Sequence, residues 1–164
     1  VSENAVARVV DRSRFGSGPW DNEPDRVEWR DEKTGLDCLI VRGPLGALCG
    51  YVAVLPGHPW HGRGYDDVDA DVHGGLTYAA ACHGLVCHVP RPGEPDDVWW
   101  LGFDAAHYMD LVPSMSFWRK EARFEVAFDE TYKGVDYMKN ECADLARQVS
   151  EASLVRQARR LIDA

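Results

Sequence analysis

Apolar residues fall at Val135, Met138, Cys142, Leu145 and Val149, a 3-4-3-4 spacing that places all five on one face of a helix. Glu141, Asp144, Arg147 and Gln148 take the wet side. The stripe continues through Val155, Ala158, Leu161 and Ile162, either in the same helix or, after a break at VSEAS, in a second one. Upstream the period shortens. Segment 26–57 carries β-branched and apolar runs punctuated by Lys33-Thr34-Gly35 and by Gly43-Pro44-Leu45-Gly46, which predicts a three-stranded meander. VWWLGFD (98–104) is too apolar and aromatic for anything but a strand or a buried segment. At the N-terminus, Ser2 as a cap and Val6, Val9 and Val10 as a stripe predict a short amphipathic helix. The predicted fold is α+β, an antiparallel sheet (meander) covered by a long C-terminal helix.

One stretch alternates strictly. In YDDVDADVHGGLTY (65–78), Val68, Ala70 and Val72 would share one face of a strand, and Asp67, Asp69, Asp71 and His73 the other. Carboxylates two residues apart on one face repel, so water, basic side chains, a metal ion or a ligand must offset them.

Composition narrows the classes. The chain of 164 residues fits one domain, 1–164, with no second-domain linker or repeat. A formal charge of −9 argues against a surface that tracks phosphate backbones, so nucleic acid is not an expected partner. No apolar run approaches a membrane span, and no membrane partner is expected. Five cysteines without a C-x-x-C pair suggest reduced, buried thiols in a cytoplasmic protein.

The chemistry concentrates in the middle, where all six histidines lie between positions 58 and 107. In WWLGFDAAHYMDLVP, Asp104, His107 and Asp110 are three apart; if a helical turn starts at Asp104, that residue caps it and His107 follows over the same edge. With His73 they form a candidate catalytic set, His73, Asp104, His107 and Asp110, expected to converge in one pocket. Asp69, Asp71, His73 and His107 are the candidate ligands of a divalent metal, the one cofactor the sequence suggests. Tyr65, Gly74, Gly75, Tyr78 and Trp100 are candidate ligand-binding residues, the glycines as a pocket floor and the aromatics as walls. Bland readings compete: Asp104 as a simple cap, Asp110 as a turn residue, His73 as the start of a bulge. His58 and His61 flank Pro59 and Trp60 in a loop and read as exposed or supporting, and CHGLVCH (82–88) lacks usual zinc-ligand spacing. The long helix is expected to contribute no more than a rim residue.

The blocks LCGYVAVLPGHP, YDDVDADVHGGLTY and WWLGFDAAHYMD, followed by TYKGVDYMKNECADLARQ, resemble a group of short uncharacterised proteins encoded mainly by bacteriophages and prophages, over roughly positions 36 to 150. The resemblance implies action in the cytoplasm of an infected bacterium and supplies no mechanism. Two functions follow as expectations. One is a hydrolase of a small polar or phosphorylated, nucleotide-like molecule; the other is a non-catalytic protein that sequesters a small ligand such as a nucleotide signal of antiviral defence. The hydrolase is slightly favoured, and a homo-oligomer is compatible with either. G-x-S-x-G, Walker and dinucleotide fingerprints are absent from the sequence.

Overall fold

The computed structural model describes residues 3–162. Six strands, β1 (Asn4–Val6), β2 (Arg26–Arg30), β3 (Asp37–Arg42), β4 (Leu48–Val54), β5 (Tyr78–Ala81) and β6 (Trp99–Asp104), form one sheet in the order β1-β2-β3-β4-β6-β5. Every neighbouring pair is antiparallel. Helices α1 (Pro113–Glu121) and α2 (Val135–Ile162) follow. The α+β architecture with a sheet and a long C-terminal helix is therefore present, with the meander running through β1 to β4.

Both faces of the sheet are packed. The α2 stripe Val135, Met138, Cys142, Leu145 and Val149 is buried together with Val27, Ile40, Leu48, Val52, Leu101 and Phe103. Burying each such aliphatic side chain stabilises by roughly 1.5–3 kcal/mol, which is what holds the helix on the sheet. Gly50 sets how closely it approaches: a Cβ there would lie 2.6 Å from the Phe103 ring and 2.9 Å from Cys142 Sγ. The opposite face buries Leu39, Val41, Tyr51, Ala53 and Trp100 under Val86 and Val98. The helix runs unbroken to Ile162 and leaves Leu154, Val155, Leu161 and Ile162 exposed, since its stripe outlasts the sheet beneath it.

Three expectations change. The N-terminal segment is not a helix: residues 4–6 add edge strand β1 to β2, and Ser2 lies outside the described residues. Edge pairing supplies the backbone partners that a short isolated helix would lack. The acidic segment is not a strand either. After a 3₁₀ turn at Tyr65–Asp67, residues 68–72 have no ladder partner, although Val68 and Val72 do point into the core and Asp67, Asp69 and Asp71 into solvent. Finally, Cys82 and Cys87 form a disulfide, with Cα atoms 4.6 Å apart across a small hairpin closed by His83 and Val86; Cys38, Cys49 and Cys142 are free. That separation is within the range a disulfide spans without moving the backbone.

A buried ionic network ties the N-terminal half to the start of α2. The Arg42 guanidinium donates from Nε to Asp25 Oδ1 (2.8 Å), from Nη1 to Gly46 O and Tyr132 Oη (2.8 Å each), and from Nη2 to Glu23 Oε2 (3.0 Å) and Pro24 O (3.4 Å). Arg12 also pairs with Asp25, whose carboxylate accepts the Val9 and Val10 backbone N–H groups. Burial acts to raise the Asp25 pKa, and the Arg12 bond and the two backbone donors outweigh it, leaving the carboxyl below its ordinary value. Glu23 Oε1 accepts the Val135 N–H (2.9 Å) and so caps α2, where a carboxylate also suits the helix dipole.

Candidate functional site

Three segments meet at one edge of the sheet. The first is 71–77, held against α2 by helix side chains in place of a strand partner. Gln148 accepts the Asp71 N–H (2.8 Å) and donates to the Asp71 carbonyl (2.7 Å), and Glu141 Oε2 accepts the His73 N–H (2.8 Å). Backbone groups that would otherwise be unpaired are thus satisfied one residue at a time. His73 is thereby fixed over Tyr137, whose hydroxyl lies 2.9 Å from His73 Nδ1.

The second segment is the turn that follows β6. Asp104 ends the strand; its Oδ1 accepts the Ala106 N–H (3.0 Å) and its Oδ2 the Thr77 hydroxyl (2.9 Å). The chain then makes a turn rather than a helix, with Met109 at φ 71° and Asp110 N–H bonded to the His107 carbonyl (3.0 Å). A turn brings residues three apart together as a helix would, so the spacing Asp104, His107, Asp110 serves the same convergence. Thr131 pairs with this turn through Leu111 N–H and Met109 O, leading into the third segment, α2.

Asp110 is the centre. Its side chain is 3% exposed, and Oδ2 lies 2.7 Å from His73 Nε2, 3.0 Å from the His107 backbone N, and 3.5 Å from His107 Nδ1. The two imidazoles meet edge to face with centroids 5.5 Å apart. His107 Nδ1 is also 3.8 Å from Asp104 Oδ1, yet it is buried and has no hydrogen-bond partner. Gly74 lets the His107 ring in: a Cβ at that position, where φ is +68°, would sit 2.1 Å from His107 Cε1.

All four residues of the predicted catalytic set are therefore neighbours. Clefts of about 110, 360, 160, 310 and 590 Å³ lie elsewhere on the molecule, and the His73 and His107 side chains are 17% and 31% exposed. The predicted metal set needs correction. Asp69 and Asp71 are exposed and outside the cluster, because the extended segment turns their side chains away from the core; among the described residues the group within reach of one ion is His73, His107 and Asp110. Among the ligand-wall residues, Trp100 is fully buried on the far face of the sheet, edge to face with His88, so it cannot line an accessible site. Trp99 packs against the α2-side core and donates to Arg63 O (2.9 Å). Tyr78 packs edge to face on Tyr51, Tyr65 is exposed on its 3₁₀ turn, and Gly75 has open space beside it. His58 and His61 are half-buried and bonded to the carbonyls of Val149 (2.8 Å) and Asp97 (2.7 Å).

The helix contributes more than a rim. Tyr137, Glu141 and Gln148 form a second stripe beside the apolar one and grip 71–73. Burial pushes the Tyr137 hydroxyl pKa up, and Glu141 and Asp110 add to that, so the phenol stays protonated. Lys133 Nζ lies 5.0 Å over the Tyr137 ring. No helix among the described residues is long and apolar enough to cross a membrane.

No protein-family model, no curated protein and no solved structure matches the chain.

Proposed function

We propose that the protein is a hydrolase of a small polar or phosphorylated, nucleotide-like molecule, acting as a phage accessory protein in the host cytoplasm. One observation carries the reading: a buried carboxylate, Asp110, lies between two imidazoles, and one of these keeps a buried nitrogen with no partner. Leaving such a group unpaired costs roughly 1–3 kcal/mol, and the other described side-chain nitrogen in that state, Trp100 Nε1, lies inside the core, whereas His107 Nδ1 has two titratable groups near it, Asp104 and Asp110. An imidazole nitrogen beside two carboxylates, buried itself on a ring that is 31% exposed, suits the activation of a water molecule, by accepting its proton or by holding a cation that polarises it. Thr77 and the turn backbone fix Asp104, and Tyr137 and Glu141 fix His73, so the centre is pre-organised. In a reducing cytoplasm the Cys82–Cys87 bridge would open, and the centre does not depend on it.

A sequestering protein is the second reading. Lys133 over the exposed Tyr137 ring offers a cation and an aromatic face beside His73, a pair that can take an anionic, base-bearing ligand on a chain of net charge −9. The test is turnover and affinity across a nucleotide panel for the parent chain and His107→Ala. A hydrolase loses about 10²-fold or more in turnover with little change in affinity. Weakened binding with no turnover in the parent chain supports sequestration and removes the hydrolase.

A further inference from the structure

We infer that His73, Asp110 and His107 form a three-ligand site for a divalent transition metal of the zinc class. One ring nitrogen from each of His73 and His107 and an Asp110 oxygen all lie within 4.8 Å of one another. In a tetrahedral site with bonds of about 2.0–2.1 Å, ligand atoms stand about 3.3 Å apart. The 3.5 Å between Asp110 Oδ2 and His107 Nδ1 already has that span, and the 2.7 Å between Asp110 Oδ2 and His73 Nε2 needs to open by only about half an ångström. An ion at this point also gives the buried His107 nitrogen the partner it lacks.

Donor chemistry selects the metal. Two imidazoles and one carboxylate suit zinc, cobalt, manganese or ferrous ions, whereas magnesium and calcium prefer oxygen alone. The surroundings match those of ligating histidines, which hold the proton on the far nitrogen and hydrogen-bond it to a fixed partner. With Nε2 on the metal, His73 Nδ1 carries the proton and donates it to the Tyr137 oxygen, 2.9 Å away, while Glu141 holds the His73 backbone. Asp110 is held by the His107 N–H (3.0 Å). Three protein ligands would leave a fourth position for water. Asp104 Oδ1 lies 3.8 Å from His107 Nδ1. The inference deepens the hydrolytic reading by naming what polarises the water; it rests on that reading for the ion's role and not for its binding.

The experiment strips the purified full chain with a chelator and titrates it with Co²⁺, followed by visible d–d absorption, and then with Zn²⁺ by calorimetry. One ion per chain with a tetrahedral cobalt spectrum, displaced by Zn²⁺, is expected. Asp110→Asn and His107→Ala should weaken binding by at least about 10²-fold and Tyr137→Phe by about tenfold, as second-sphere changes do. Asp69→Asn with Asp71→Asn should leave it unchanged. His107→Gln, compared with the parent by circular dichroism, replaces His107→Ala if that variant unfolds. Absence of binding by the parent chain, or binding that survives Asp110→Asn but is lost with Asp69 and Asp71, overturns the site. Undiminished nucleotide turnover by the chelated chain overturns the ion's role and leaves the hydrolase standing. Binding without turnover keeps the site and removes the hydrolase.

Discussion

Arg42 and Asp110 are both charged residues buried beside the same sheet, and their surroundings differ in one respect. All five N–H groups of Arg42 are bonded, to Asp25, Glu23, Tyr132 and two carbonyls. Around Asp110, one imidazole nitrogen is unbonded at hydrogen-bonding depth. Saturation marks the first as a clamp between β2, β3 and α2. The vacancy in hydrogen bonding marks the second as a place where something else belongs. Charge and burial alone do not separate the two; the accounting of donors and acceptors does.

Breaking the clamp should disturb the molecule most. Arg42→Met leaves Asp25 and Glu23 without their shared cation and should cost about 3–5 kcal/mol in urea unfolding, as does the loss of one partner from a buried ion pair. The folded fraction should still bind metal as the parent does. A loss under about 1 kcal/mol would erase the distinction between the two regions.

Gly74→Ala probes the centre from its floor. A side chain at φ +68° costs roughly 1–2 kcal/mol, and its Cβ would displace the His107 ring. Metal affinity and turnover should fall more than the modest stability loss explains. Normal affinity with the same stability loss would show that the ring has no fixed position to defend.

The smallest effect concerns a histidine that belongs with the clamp. His58 accepts the Trp60 N–H at Nδ1 (2.9 Å) and donates from Nε2 to Val149 O (2.8 Å), joining the 55–60 loop to α2. Burial holds its pKa below the usual 6.5, with Arg156 and His61 acting in the same sense and the Val149 bond opposing them. The folded state thus binds its proton less readily than the unfolded chain. The stability tied to neutral His58 is complete above about pH 6.5 and declines as the pH falls from there through the lower folded pKa. Urea midpoints measured between about pH 7 and pH 5 should drop less in His58→Gln than in the parent. An identical drop in both would assign the acid sensitivity elsewhere.

Much of this was legible in the chain. Every member of the Val135 to Val149 stripe is buried, because a long period of 3.6 has no competing explanation. The alternation at 65–73 correctly told inside from outside and wrongly implied a ladder, since side-chain alternation reports an extended backbone and not a strand partner. The spacing of Asp104, His107 and Asp110 located the centre while misjudging the local structure as helical. Tyr137 and Glu141 were not legible as site residues. Polar residues on a helix flank look solvated until the loop they hold is known, and that loop lies 64 and 68 residues earlier in the chain. The Cys82–Cys87 bridge was missed for a related reason, because hairpin closure decides whether nearby cysteines can meet.

The same distances in sequence have a consequence for biosynthesis. His73 and Asp110 are 37 residues apart and His73 and Tyr137 are 64 apart, so the centre closes two nested loops. A nascent chain that has not yet released α2 can carry His73, Asp104, His107 and Asp110, but it lacks the phenol and the carboxylate that fix His73. Closing such loops is slow relative to local structure. Whatever chemistry the centre performs is thereby withheld until the helix docks, and its appearance during refolding times the completion of the molecule.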